Sequence, residues 1–219
     1  MNSTPERVLT GETVLNSSDI ADAAEKVTGQ RSHMSHRIKS MAGVALAGHA
    51  VTLQLMKDDS ISAMALGLAV VRVIEAAPAS SVLVMAVEEG QDFAAFGVTL
   101  AVLMKTRKLA GMVVDGSVRD VSGLREMQFP TFALGAVPGS AGGRYKLASA
   151  NETIICGGLT VVPGALVVGD EDGIAVAPAD REAEILSLAA KSQAEEAQLL
   201  QRIQAAGSYL KLVAAGTRD

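Results

Sequence analysis

Apolar and polar positions divide the chain into three stretches with different periods. From Ser17 to about Val27 the run SSDIADAAEKV has helical spacing behind a Ser or Asp cap. The polar, basic segment Thr28–Ser40 predicts a loop, and the alternating, β-rich Val44–Leu55 predicts a strand. Ser60–Ala77 reads as a helix of small and aliphatic residues, stopped by Pro78. The unbroken apolar run Ser81–Val87 is the mark of a strand buried on both faces. A helix over Asp92–Leu109, the strand MVVDG and a short helix in SVRDVSGLREMQ, closed by Phe129-Pro130, complete this first stretch.

Strand and helix thus alternate, which predicts an α/β domain with parallel pairing. In Thr131–Pro178 the pattern changes to short apolar runs (TFAL, TII, LTVV, ALVVG, GIAVA) between Gly- and Pro-containing turns. That predicts antiparallel or mixed sheet curling into a barrel-like half. Asp180–Ala206 is a long helix with Gly207 just past its end. Its apolar patches, Ile185, Leu188 and Ala189, then Leu199 and Ile203, flank a polar middle. Packing on its own domain does not account for such a middle, so a contact with another subunit is expected. Met1–Thr13 is polar and unpatterned and reads as a loose terminus to a single domain over residues 1–219.

Composition narrows the partners. Nearly half of the 219 residues are apolar (49%) but only 3% are aromatic, so the core must be built from Ala, Val, Leu, Ile and Met. Net charge is −5 and the 19 basic residues are scattered, which argues against nucleic-acid binding. No start resembles a signal peptide, and the apolar runs are broken well short of a membrane span. A lone Cys156 forbids an intrachain disulfide. The expectation is a soluble cytoplasmic protein with no membrane partner.

Candidate chemistry concentrates in Gly111–Asp120, GMVVDGSVRD. A buried strand that turns at once into a helix brings free backbone N–H groups together, the usual place for a ligand in α/β folds. Arg119 can grip a carboxylate with its fork of donors, and Asp120 offers a hard oxygen to Mg²⁺ or Mn²⁺. The alternative is structural: Ser117 as N-cap, Asp120 near the third helical position, and Arg119 an ordinary surface residue. Elsewhere, His33 and His36 lack a third ligand and read as surface residues. His49 falls on the strand face of Ala47, Val51 and Leu53 and reads as a core histidine. Cys156 reads as a small buried residue, and Asp170, Glu171 and Asp172 with Gly173 as a hairpin turn.

GMVVDGSVRD resembles the strand-and-turn hallmark of the RraA-like family, the family of 4-hydroxy-4-methyl-2-oxoglutarate aldolases. LAGHAVTL, FPTFALGAVP, VVPGALVVGDEDGIAVAP and the Glu-rich last helix are similar to further family segments in the same order. The resemblance implies an α/β/β/α sandwich with mixed sheet and a long C-terminal helix, assembled as a trimer or hexamer. It implies a divalent-metal lyase on a small 2-oxo acid, of aldolase or oxaloacetate decarboxylase type, passing through a pyruvate enolate. Carried over, Arg119 would bind the substrate carboxylate and Asp120 the metal, with substrate also held at Gly97, Val98, Thr99 and Leu100. Glu195 or Glu196 of a neighbouring subunit would support metal-bound water. The sequence departs from the pattern at Val98, where active aldolases carry an acid; a substrate other than the best-known ones is the expectation. Family relatives that bind and inhibit ribonuclease E give the alternative, a non-catalytic regulator.

Overall fold

A computed structural model describes residues 8–10 and 13–216. In chain order the elements are β1 (Val8–Thr10), β2 (Thr13–Leu15), α1 (Ser17–Thr28), β3 (Lys39–Ala42), β4 (Leu46–Lys57), α2 (Ala63–Ala76) and β5 (Val82–Val87). Then come β6 (Ala94–Phe96), α3 (Val98–Thr106), β7 (Gly111–Val118), α4 (Val121–Glu126), β8 (Thr131–Ala136) and β9 (Tyr145–Ala150). The chain continues through β10 (Ile154–Cys156), β11 (Leu159–Val161), β12 (Leu166–Gly169), β13 (Ile174–Ala177), α5 (Glu182–Ala206) and α6 (Tyr209–Gly216). A 3₁₀ turn, Ala179–Arg181, leads into α5. Most of the expected loose terminus, residues 1–7, 11 and 12, lies outside the described residues; β1 and β2 form a small antiparallel hairpin within the rest.

The main sheet runs β13-β12-β4-β5-β7-β8-β3, with β6 on β7 and β9 on β4. Strands β4, β5, β7 and β8 run parallel to one another, while β12, β13, β3 and β9 pair antiparallel. The long strand β4 is the corner. Its first half, Leu46–His49, pairs with β12, and Ala50–Leu55 pairs with β5.

Alternation along these strands sorts the core into layers. On one face, Leu53, Leu83, Met85, Met112 and Val114 pack against Leu66, Val70 and Ile74 of α2 and Ala101 and Met104 of α3. On the other, Val82, Val84, Val113 and Phe132 meet Val167 and Val176 of the folded-over β12–β13 pair. The outer face of that pair, Leu166, Val168, Ala175 and Ala177, packs on Ile20 and Ala24 of α1 and Ile185 and Ala189 of α5. Helix, sheet, sheet and helix follow one another, which is the expected α/β/β/α arrangement with its curled mixed sheet and long C-terminal helix.

Two elements differ from the pattern-based expectation, and both border the chemistry. The helix expected over Asp92–Leu109 is only Val98–Thr106, because Ala94–Phe96 pairs in parallel with Ser117 and Val118. Ala94 also donates to Gly139 O and accepts from Ala141 N–H, so strand bonds on both sides override its local helix tendency. The strand β7 likewise runs two residues past Gly116. Ser117 is not a helix cap; its N–H donates to Gly90 O and its Oγ to Gln91 O.

His49 is also corrected. It stands 59% exposed, with Nε2 3.0 Å from Glu182 Oε2 at the start of α5. Ala47 packs in the layer of α1 and α5 and Val51 in the layer of α2 and α3, and His49, between the two, faces out. His33 and His36 are exposed, as read from the sequence.

Candidate active site at the end of the parallel strands

The site grows from the last residues of β7. Arg119 N–H donates to Phe96 O, which fixes the end of β7 beside the β6–α3 junction. Asp120 then takes the left-handed conformation (φ 58°, ψ 36°), tolerated by Asp, and becomes the N-cap of α4. This turns its carboxylate back towards α3 instead of along α4. Its Oδ2 accepts the Val98 N–H at 3.3 Å and lies 3.8 Å from Arg119 Nε. Both charged side chains are 44% exposed, so they face each other at a wet rim.

Gly97, the N-cap of α3, is needed for close approach. A Cβ there would lie 2.7 Å from Asp120 Oδ2 and 3.1 Å from Arg119 Cγ. The glycine lets the first turn of α3 and the Arg-Asp pair share one mouth. Thr99 and Leu100 belong to that first turn, whose N–H groups have no partner within the helix and favour an anion.

Behind the mouth is a cavity of about 280 Å³. Gly97, Thr99, Leu100, Arg119 and Asp120 all line it. Val98 does not; its side chain lies over α4, where a Cβ on Gly123 would come within 3.2 Å of Val98 Cγ2. The rest of the wall was not singled out by motif reading. It comes from Leu55 of β4, strand β6, Ala63, Leu66, Gly67 and Val70 of α2, and the Ser140–Gly142 turn after β8. The one available signal was composition: AMALGLAVVRVIEA is apolar almost all round, with a glycine in mid-helix.

A metal at this mouth would find one protein carboxylate, Asp120. Among the described residues no group of three or more His, Cys, Asp or Glu stands ready to hold an ion. One carboxylate with several retained waters is a donor set that Mg²⁺ accepts and that Zn²⁺ does not favour. Glu195 is not part of this mouth within the chain. It sits exposed on α5, which packs on α1, and its carboxylate is 3.9 Å from Lys191 Nζ. Glu196 is exposed on the same helix.

Two other clusters do different work. The larger cavity, about 360 Å³, is bounded by Leu15, Asn16, Val44 and the turn Asp170–Asp172. Among the described residues no cation lines it, and Asp170 is bound to Ser17. Cys156 is fully buried, and that burial pushes its thiol far above the ordinary range. It is an inert packing residue, as its surroundings in the sequence suggested.

With this geometry in hand, the chain can be set beside known proteins. Residues 17–176 match the model of the family described as RraA-like, Aldolase/RraA. A 4-hydroxy-4-methyl-2-oxoglutarate aldolase of Thermus thermophilus is 32% identical over 141 residues, 64% of this chain and 80% of that protein. A Halalkalibacterium halodurans protein provisionally named for the same activity is 32% identical over 151 residues, 69% of this chain and 68% of its own. Among solved structures, RraAS2 of Streptomyces coelicolor, described as an unusual member of the RNase ES inhibitor RraA protein family, is similar with a TM-score of 0.74 and 27% identity. That likeness covers 87% of this chain and 93% of that one. An uncharacterized Pseudomonas syringae protein reaches a TM-score of 0.81 at 25% identity over 92% of this chain and 90% of its own. Among the described residues, no helix is long and apolar enough to cross a membrane.

Proposed function

This chain belongs to the RraA-like family, and we propose that it works as a divalent-metal-dependent carbon–carbon lyase on a small 2-oxo acid. The observation that carries the reading is the mouth itself: a guanidinium and a carboxylate, Arg119 and Asp120, held against the first turn of α3 at the opening of a cavity. Arg119 binds the substrate carboxylate, and the N–H groups of Thr99 and Leu100 add to the pull on the anion. Asp120 is the residue that would hold Mg²⁺ or Mn²⁺. Such a cation, when bound, polarises the 2-oxo group and steadies the enolate charge left by C–C cleavage.

Val98 offers neither an oxygen nor a proton, so the proton of the substrate's hydroxyl leaves to water. The reading includes a homotrimer or hexamer in which Glu195 of a neighbouring copy faces the mouth and orders water there. A second reading, a non-catalytic binding protein of the ribonuclease E regulator kind, is favoured by one observation: Val98 packs over Gly123 instead of facing the cavity.

The test is pyruvate release from oxaloacetate and from 4-hydroxy-4-methyl-2-oxoglutarate, with Mg²⁺ or with EDTA. Wild type, Asp120→Ala and Val98→Asp are compared. Metal-dependent release by wild type, slow for both of these dicarboxylic acids and lost in Asp120→Ala, is the expected result. Silence from wild type, with activity appearing only in Val98→Asp, would give the second reading the better claim.

A further inference from the structure

The two ends of the 280 Å³ cavity differ in chemistry. Arg119, Asp120 and Thr99 are its exposed charged or polar lining, while Leu55, Leu66, Val70 and Phe96 are buried lining, with half-buried Leu100 beside them. Among the described residues that line it, Arg119 is the one cation. Arg144, bonded to the Ser140–Gly142 wall, is engaged elsewhere. Its Nη1 donates to Ser140 O at 3.1 Å and Gly142 O at 3.4 Å, and its guanidinium lies 4.3 Å over the Phe93 ring. Arg144 thereby braces the Ser140–Gly142 wall from behind and does not enter the cavity.

A dicarboxylic 2-oxo acid bound at Arg119 would press its second carboxylate against leucines with no partner, a costly desolvation. An aliphatic tail in the same place gains by leaving water. Resting on the lyase reading above for its chemistry, we propose that the substrate is a monocarboxylic 4-hydroxy-2-oxo acid whose C4 carries an alkyl tail. The C3–C4 bond breaks and the C4 hydroxyl proton goes to water. The electron pair stays on the three-carbon fragment as enolate, and C3 takes a proton from water. The products are pyruvate and an aliphatic aldehyde, and the atoms balance without an oxidant or reductant.

Gly67 gives a handle on the apolar end. It lines the cavity from mid-α2, and a Cβ added there meets nothing within 4 Å. The Cβ of Gly67→Leu therefore meets open space, and its side chain would improve helix propensity while occupying the space meant for the tail.

The experiment uses calorimetric binding to the full chain with Mg²⁺ present. The probes are two non-cleavable acids of similar length, 2-oxohexanoate and 2-oxoglutarate, with pyruvate as the short control. Tighter binding of 2-oxohexanoate, by about tenfold or more (~1.4 kcal/mol), is expected. Gly67→Leu should remove that advantage and leave pyruvate binding in place. Equal or tighter binding of 2-oxoglutarate, no binding of either acid, or an unchanged 2-oxohexanoate affinity in Gly67→Leu overturns the proposal. Pyruvate release from 4-hydroxy-2-oxoheptanoate is assayed separately. Its absence beside an intact binding preference strikes at the lyase reading and not at the cavity's choice of tail.

Discussion

Two acidic turns in this molecule look alike in the sequence and differ completely in the fold. Arg119-Asp120 joins β7 to α4, and Asp170–Gly173 joins β12 to β13. Asp170 accepts the Ser17 N–H at 2.7 Å, the Ser17 Oγ–H at 2.6 Å and the Asp172 N–H at 3.0 Å. Its carboxylate ties the start of α1 to the hairpin and has little capacity left. Asp120 accepts the Val98 N–H at 3.3 Å and otherwise faces Arg119 and solvent at a cavity mouth. A satisfied carboxylate is a structural clamp; one with open lone pairs beside a cation is available to a ligand. The larger cavity lies by the first and the better chemistry by the second, so volume alone is a poor guide.

Three substitutions sharpen or break this comparison. Gly97→Ala should have the largest effect, because the new Cβ must displace Asp120 Oδ2 from 2.7 Å. A shift of about 1 Å at a reacting centre is worth roughly a hundredfold in rate, so kcat/KM for pyruvate release should fall by about that much. Retained activity would show that the carboxylate is not held where catalysis needs it. Asp170→Ala should act on stability instead, orphaning both Ser17 donors at the start of α1. A loss of about 1–2 kcal/mol is expected from the two lost Ser17 bonds alone, seen as a lower urea midpoint with turnover per folded molecule unchanged.

Asp58 supplies a third, graded case with the smallest effect. Bonds from the Ser60 hydroxyl, then Lys146, then the Ser60 N–H hold its carboxyl below its ordinary value of 3.8. A depressed carboxyl stabilises the fold above that ordinary value, and the contribution fades as pH falls below it towards the folded value. Ser60→Ala should flatten the acid limb of a urea midpoint measured against pH. The Asp58 side chain is 21% exposed, but its partners Ser60 and Lys146 lie at the surface, where solvent screens them, so the change will be small. An identical acid limb in the variant would remove Asp58 from the account of acid stability.

Much of the fold was legible because its signals are local. The apolar run of β5, Pro78 after α2, and Gly207 after α5 announce themselves through burial, ring geometry and the left-handed cap. The Arg119-Asp120 turn was legible as a candidate from residue chemistry at a strand end. What misled was the boundary around it. Asp92–Phe96 has no local reason to leave a helix; its strand bonds come from Ser117 and Val118 on one side and from Gly139 and Ala141 on the other. His49 shares a strand face with buried residues, yet the turn of β4 from one layer to the next leaves it outside.

By itself the sequence determined the class of elements, the family resemblance, the inertness of Cys156 and the pair of charges to watch. Tertiary structure decided which carboxylate is satisfied, where the Val98 side chain lies, and that α2 supplies an apolar wall opposite Arg119. Propensity, charge and turn chemistry act over a few neighbouring residues and can be read along the chain. Hydrogen-bond saturation and cavity walls arise from groups far apart in sequence, such as Ser17 with Asp170 or Gly67 with Arg119, and exist only once the layers have packed.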